Sequence, residues 1–269
     1  MWAIDVPWTP RDQVFPETGF IEAFRGDGQR VVGGEALANW PLMAHGIPQL
    51  HAPGGMRTKR LDAFLNALAA NPLMVRRLGS RSLVLGKEDL QGSFAHVRSQ
   101  LSIRKVFPSG VVLFDDEDAV PRVRLVPEVR PIDAFDPELI DPRKPPLLER
   151  GLPPATGAVS PGVATLAPQE TATEVVVELD HAEESLLILA DAWYPGWLAM
   201  VDGTPAEVYP VDGLFRGVLL PKGAKRVVFE YRPFSIRLGV MVTCGACIVV
   251  SIGLVVMALR NLRGRKRYL

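Results

Sequence analysis

Cysteine is nearly missing from this 269-residue chain: its only two, Cys244 and Cys247, lie in an apolar C-terminal stretch. The rest therefore offers no disulfide framework and no cysteine-based zinc site. The four histidines, His45, His51, His96 and His181, show no paired ligand spacing. An excess of charge is missing too, because 30 Lys+Arg balance 30 Asp+Glu. That excludes a nucleic-acid binder built on a basic face. Gly-x-Ser-x-Gly, a phosphate-binding glycine loop and His-Glu-x-x-His are all absent. No nucleophile–base or metal constellation marks an independent hydrolase, and no cofactor is implied. What is plentiful is proline and glycine, 24 of each, which favours a turn-rich, strand-rich chain. With 48% hydrophobic and 22% charged residues, disorder is excluded.

One long apolar run stands out. Residues 238–259, LGVMVTCGACIVVSIGLVVMAL, carry no charge. As a helix they extend roughly 33 Å, against a hydrocarbon core of about 30 Å. The run is apolar on every face, which fits lipid better than a one-sided core contact. Cys244 and Cys247 have CxxC spacing, but a bilayer interior disfavours the thiolate that redox or metal chemistry needs. They read as small helix residues, and Gly245 and Gly253 as close-packing points. The tail 260–269 holds Arg260, Arg263, Arg265, Lys266 and Arg267 and no acid. The positive-inside rule then places the C-terminus in the cytoplasm and residues 1–237 outside. The N-terminus has no basic segment followed by an apolar one, so it does not read as a signal peptide. Tail anchoring would set the basic residues outside, against the charge rule. The expectation is that helices outside this chain start its translocation.

Eleven prolines fall in residues 121–168 and divide the outer part. Residues 1–130 read as a small α/β unit. Thr58 to Ala70 places Leu61, Phe64, Leu65 and Leu68 on one helix face. A second helix is expected to start at Pro72. Strands are expected at 30–34, 82–85 and 123–126, with a hairpin of 102–106 and 111–114 around Pro108-Ser109-Gly110. Residues 131–164 read as an extended connection. Residues 165–233 read as a β-sandwich with strands at 174–179, 185–190, 197–201, 206–209, 214–220 and 226–231. Asp202-Gly203, Asp212-Gly213 and Lys222-Gly223 supply turns. The fold class expected is α+β: an N-terminal α/β unit, a sandwich, and one transmembrane helix.

Residues 191–237 carry a Tyr-Pro-Gly-Trp turn, a Val-Asp-Gly hairpin, a Phe-Arg-Gly-Val strand, a Pro-Lys-Gly turn and a Phe-Glu-Tyr-Arg-Pro strand before the apolar run. In that order they resemble the C-terminal end of the YfhO family of bacterial membrane proteins. Weaker similarities cover Phe135 to Arg143, Ala119 to Val123 and Leu78 to Leu85. The stretch His45 to Leu65 is similar too, though His51-Ala52-Pro53 departs from the pattern. The resemblance implies large multi-span proteins of the GT-C glycosyltransferase type, acting on lipid-linked sugars in the envelope. It implies the bacterial cytoplasmic membrane, upstream membrane helices or a multi-span partner chain, and a glycolipid or polymer acceptor. The catalytic acid of such enzymes lies in an early external loop, so no catalytic residue carries over to this chain. The alternative is a stand-alone single-span envelope protein with a binding or structural role.

Four residues are candidates for contact with sugar or lipid. Trp193, Tyr194 and Trp197 surround a Pro-Gly turn. They could stack on sugar rings, sit at the headgroup level, or fill the sandwich end. Arg216 lies mid-strand, where it is expected to face solvent on an open face or an anionic group such as a lipid phosphate. The acidic run Asp115-Asp116-Glu117-Asp118 lacks spaced calcium ligands and reads as a solvated turn. The cluster of Asp180, His181, Glu183 and Glu184 reads the same way. Arg25-Gly26-Asp27 matches a short adhesion tripeptide that chance often produces.

Overall fold

The computed structural model describes residues 18–24, 30–33, 42–45, 47, 58–141, 143–150, 162–168, 170–180 and 183–265. Arg25-Gly26-Asp27, His51, His181 and the last four tail residues lie outside the described residues. The chain runs α1 (Gly19–Glu22), β1 (Val31–Gly33), α2 (Lys59–Ala70), a 3-10 helix (Pro72–Leu78), β2 (Ser82–Leu85) and α3 (Lys87–Gln91). It continues through β3 (Ser102–Val106), β4 (Val112–Asp115), β5 (Val123–Val126), β6 (Arg130–Ile132), β7 (Leu147–Glu149), β8 (Val163–Leu166) and β9 (Glu174–Asp180). Then come β10 (Ser185–Ala192), β11 (Trp197–Val201), β12 (Thr204–Ala206), β13 (Tyr209–Val211), β14 (Phe215–Leu220), β15 (Arg226–Tyr231) and α4 (Phe234–Arg265). The fold is α+β, with the β-rich part and the C-terminal apolar helix that the sequence predicts.

The strands form three sheets, ordered β1-β2-β4-β3, β5-β10-β14-β13-β7-β6 and β12-β11-β15-β9-β8. The six-stranded sheet is the middle layer. Along β10, Leu187 and Leu189 pack with Val177, Val201 and Phe229 of the five-stranded sheet. Leu186, Ile188 and Ala190 point the other way, into a core with Phe64 of α2 and Met74 and Leu78 of the 3-10 helix. Successive strand residues alternate faces, so a strand covered on both sides is apolar throughout. That explains why Ser185–Leu189 reads as a continuous buried run.

Local signals place the elements well. Thr58 caps α2 through its side chain, which accepts from the Leu61 amide at 3.2 Å. Phe64, fully buried, meets Phe215 edge-on at 5.5 Å. Pro72 opens a 3-10 rather than an α-helix, and it ends at Gly79 in the left-handed region. A Cβ at Gly79 would stand 2.5 Å from the Arg122 Cα. This close approach sets the 3-10 helix against the start of β5. Asp202 and Gly203 both have positive φ, 48° and 82°, as a two-residue type I′ hairpin requires.

Two expectations need correction. The sandwich does not lie within 165–233, because β5, β6 and β7 from earlier in the chain belong to its central sheet. The proline-rich stretch is therefore woven into the sheet; Pro131 sits in β6, the edge strand, where a missing N–H is tolerated. The strand expected at 206–209 is instead two short ones, β12 and β13, in different sheets. The chain crosses between layers at Glu207-Val208.

The last strand leads straight outward. β15 ends at Tyr231 and α4 begins at Phe234. Residues 234–255 are long and apolar enough to cross a membrane, with mean hydropathy 2.4 and no burial against the rest of the protein. Cys244 and Cys247 are free and exposed on this helix. Ser251 returns its hydroxyl to the Cys247 carbonyl at 2.7 Å, so its polar group is satisfied within the helix.

Candidate functional site

The Tyr-Pro-Gly-Trp turn is where the sandwich meets the helix. Gly196 has φ 110°, and a Cβ there would stand 2.9 Å from the Pro233 Cα. The Gly196 carbonyl accepts from the Arg232 amide at 2.8 Å. The turn thus clamps the entrance to α4. Tyr194, 49% exposed, lies 6.5 Å from Tyr231, which lies 5.2 Å from Trp197. These three rings form a continuous aromatic edge at the end of the sandwich from which the helix leaves.

Trp197 joins this edge to a buried charge cluster. The Arg216 guanidinium lies 3.7 Å from the Trp197 ring centroid and 5.6 Å from that of Phe229. Arg216 is only 4% exposed. The expectation that it faces solvent on an open strand face is overturned, since both faces of the six-stranded sheet are covered. The anion it meets is internal: its Nη2 donates to Asp191 Oδ2 at 2.8 Å.

Asp191, 7% exposed, is the hub. Arg122 donates to it through Nε at 3.0 Å and Nη2 at 2.8 Å. Arg30 pairs with it as well and donates through Nη1 to the Ala190 carbonyl at 2.6 Å. Glu170 accepts from Arg122 Nη1 at 2.7 Å. Three cations and two anions leave a net charge of +1. Burial pushes the Asp191 carboxyl up, but hydrogen bonds from Arg122 and the charges of all three arginines outweigh it and hold it at about 2. Burial lowers Arg216 to about 10, partly opposed by Asp191 and reinforced by Arg122 and Arg30. Burial also works against Arg122, yet its bonds to Glu170 and Asp191 leave it raised. At neutral pH Asp191 is an ionised acceptor and the arginines are charged. The cluster fixes positions and fields; none of these groups is poised to exchange a proton near pH 7.

Of the four expected contact residues, Tyr194, Trp197 and Arg216 therefore belong to one constellation with Tyr231. Trp193 does not. Its Nε1 donates to the Val208 carbonyl at 3.1 Å, and Arg60 stacks over its ring at 5.1 Å. Arg60 is held by a bidentate pair with Glu149 at 2.7 and 2.9 Å.

Sequence reasoning missed Asp191, Arg122 and Arg30. A signal existed in β10, where an acid ends the run Leu186–Ala190; such a residue needs a partner if the strand is buried on both faces. The acidic run also differs from a solvated turn. Asp116 is 1% exposed and accepts from Arg76 Nε at 2.9 Å; only Glu117 and Asp118 are exposed. Among the described residues, no group of three or more His, Cys, Asp or Glu could hold a metal ion. No family model, curated protein or solved structure matches the chain.

Proposed function

We propose that this chain is the membrane-anchored, extracytoplasmic part of a YfhO-like system, supporting glycosyl transfer from lipid-linked sugars in a bacterial envelope. In this reading it contributes no catalytic residue. It lies outside the cytoplasmic membrane with its basic tail in the cytoplasm. The observation that carries it is the junction: two residues separate Tyr231 from Phe234, and the Gly196 turn is packed on Pro233. A sandwich tied so closely to an apolar helix is held at the lipid surface. Its aromatic edge of Tyr194, Trp197 and Tyr231 then lies where headgroups and lipid-linked sugars are found. Trp and Tyr are favoured at that depth, and their faces suit sugar rings. The ordered motifs of residues 191–237 supply the family reading.

The rival is a stand-alone single-span envelope protein. The single span-capable helix among the described residues favours it. An antibody to residues 165–233, used on blots of the source membranes, separates the two. A band far above 29.4 kDa supports a larger multi-span protein. A band at that size removes the glycosyl-transfer reading for the chain itself and leaves the single-span one.

A further inference from the structure

A second arginine-rich place lies on the other face of the central sheet. A pocket of about 210 Å³ opens between the 3-10 helix, the turn after β4 and the segment before β7. It is lined by Arg76, Arg77 and Arg143, with Gln100 and Asp118. Drug-sized ligand sites run to roughly 300–1,000 Å³, so this one suits a small anionic group.

The donors are not used up by the protein. Arg76 gives Nε to Asp116 at 2.9 Å and Nη2 to Asp118 at 2.9 Å and to Gln100 Oε1 at 3.4 Å. Its Nη1 has no partner among the described residues. Gln100 accepts with its oxygen, which leaves its amide N–H groups free to donate. The exposed Arg143 guanidinium pairs with none of the described residues. Arg77 is nine-tenths buried. It donates to Asp212 Oδ2 at 3.3 Å, and its Nη2 to the Asp141 carbonyl at 3.0 Å and to the Lys144 carbonyl. Its Nε–H is buried with no acceptor. Behind it, Arg124 also leaves a buried Nη2 without an acceptor. Asp212 is paired with Arg77 and feels the charge of Arg124 as well, and the sole carboxylate in the lining is the exposed Asp118.

We propose that this pocket is a phosphate-binding site, holding the phosphate group of a small ester or of a lipid headgroup. Donors come from three separate segments, the 3-10 helix, the residues before β3 and the loop before β7. A tetrahedral phosphate offers oxygens in three directions, whereas a planar carboxylate matches one guanidinium fork. The site does not rest on the glycosyl-transfer reading, and either can fail alone.

The test uses the full chain in nonionic detergent micelles. Titration calorimetry with inorganic phosphate, with acetate at matched ionic strength, and with micelles doped with phosphatidic acid gives the affinities. The expected result is saturable phosphate binding that Arg143→Ala weakens roughly tenfold or more, with an unchanged melting curve. Gln100→Ala is the second variant, expected to weaken binding by a smaller factor. Binding of inorganic phosphate assigns a soluble ester; binding of phosphatidic acid alone, with the same loss in Arg143→Ala, assigns a lipid headgroup. No saturable binding of either phosphate source overturns the proposal. So does binding that neither variant changes, or acetate bound as tightly as phosphate.

Discussion

Two arginine-rich regions stand near one end of the central sheet, and only one is sealed. Around Asp191, three guanidinium groups converge on a carboxylate that is 7% exposed, and Trp197 covers Arg216. Around Arg76 and Arg143, donors remain free beside open space. The number of arginines is the same in both linings. What differs is the carboxylate: in the first it is the buried centre, in the second Asp116 and Asp212 sit behind the arginines and leave their outer donors unused. In the first cluster the donors that Asp191 leaves over, Arg216 Nε and Nη1, are buried under Trp197 without an acceptor and closed to solvent. A cluster with spare donors open to solvent can bind something else.

The sharpest way to break this contrast is to remove the sealed centre. Asp191→Ala strands the buried Arg216 and the part-buried Arg30, while Arg122 keeps Glu170, and breaking a buried pair from one side costs about 3–5 kcal/mol. Thermal unfolding of the full chain, followed by tryptophan fluorescence, should shift down by roughly 10 °C or more. A shift of a degree or two would mean that water already screens the cluster.

Acid offers a graded version of the same experiment. The Asp191 carboxyl titrates at about 2 in the fold, against an ordinary value of 3.8. Between about pH 4 and pH 2 the unfolded chain therefore binds a proton that the folded chain does not. Stability from this group is complete above about pH 4 and is lost as the pH falls through 2. The loss amounts to about 2 kcal/mol. Denaturant midpoints measured from pH 5 to pH 2 should show that fall in the wild type. The fall should shrink in Arg122→Ala, which removes the main hydrogen bonds holding the proton off.

The clamp at the junction of sandwich and apolar helix tests whether the sealed end is also the rigid end. Gly196→Ala must hold an L side chain at φ 110° with its Cβ 2.9 Å from the Pro233 backbone. The strain is of order 1–3 kcal/mol. Limited proteolysis near residue 232 should speed up in this variant. Unchanged cleavage would show that the turn does not fix the helix entrance.

How far the sequence foretells all this depends on range. The Thr58 cap, the 102–114 hairpin and the Asp202-Gly203 turn arise from neighbours in the chain, and each is legible from residue types alone. The helix 234–255 is legible by length and apolarity. The ion networks are not: Arg30 and Asp191 are 161 residues apart, and Arg77 and Asp212 are 135 apart. Arg216 looked like an outward strand residue because Phe215 beside it looked like the inward one; Phe215 instead packs on a second covering layer, built from α2 and the 3-10 helix, and Arg216 points between the sheets onto Trp197 and Phe229. The same hidden layer explains why the proline-rich stretch reads as a linker while β6 and β7 are strands. Tyr194 and Trp197 were found because their turn is a local motif; their partner Tyr231 was not, because its role comes from pairing with β11 across the sheet.

The smallest effect on stability is the one that separates the regions most cleanly. Arg143 is exposed, and no described residue holds its guanidinium, so Arg143→Ala should change the melting temperature by no more than surface substitutions usually do, within about 0.5 kcal/mol. Its effect should appear in phosphate affinity alone. Asp191→Ala should do the reverse near neutral pH, lowering stability while any protein that remains folded keeps its open pocket. If instead both substitutions lower stability together, the two clusters form one network. Asp212 would be the link, since it accepts from Arg77 and from the Leu147 amide at 2.8 Å, between the pocket wall and the central sheet.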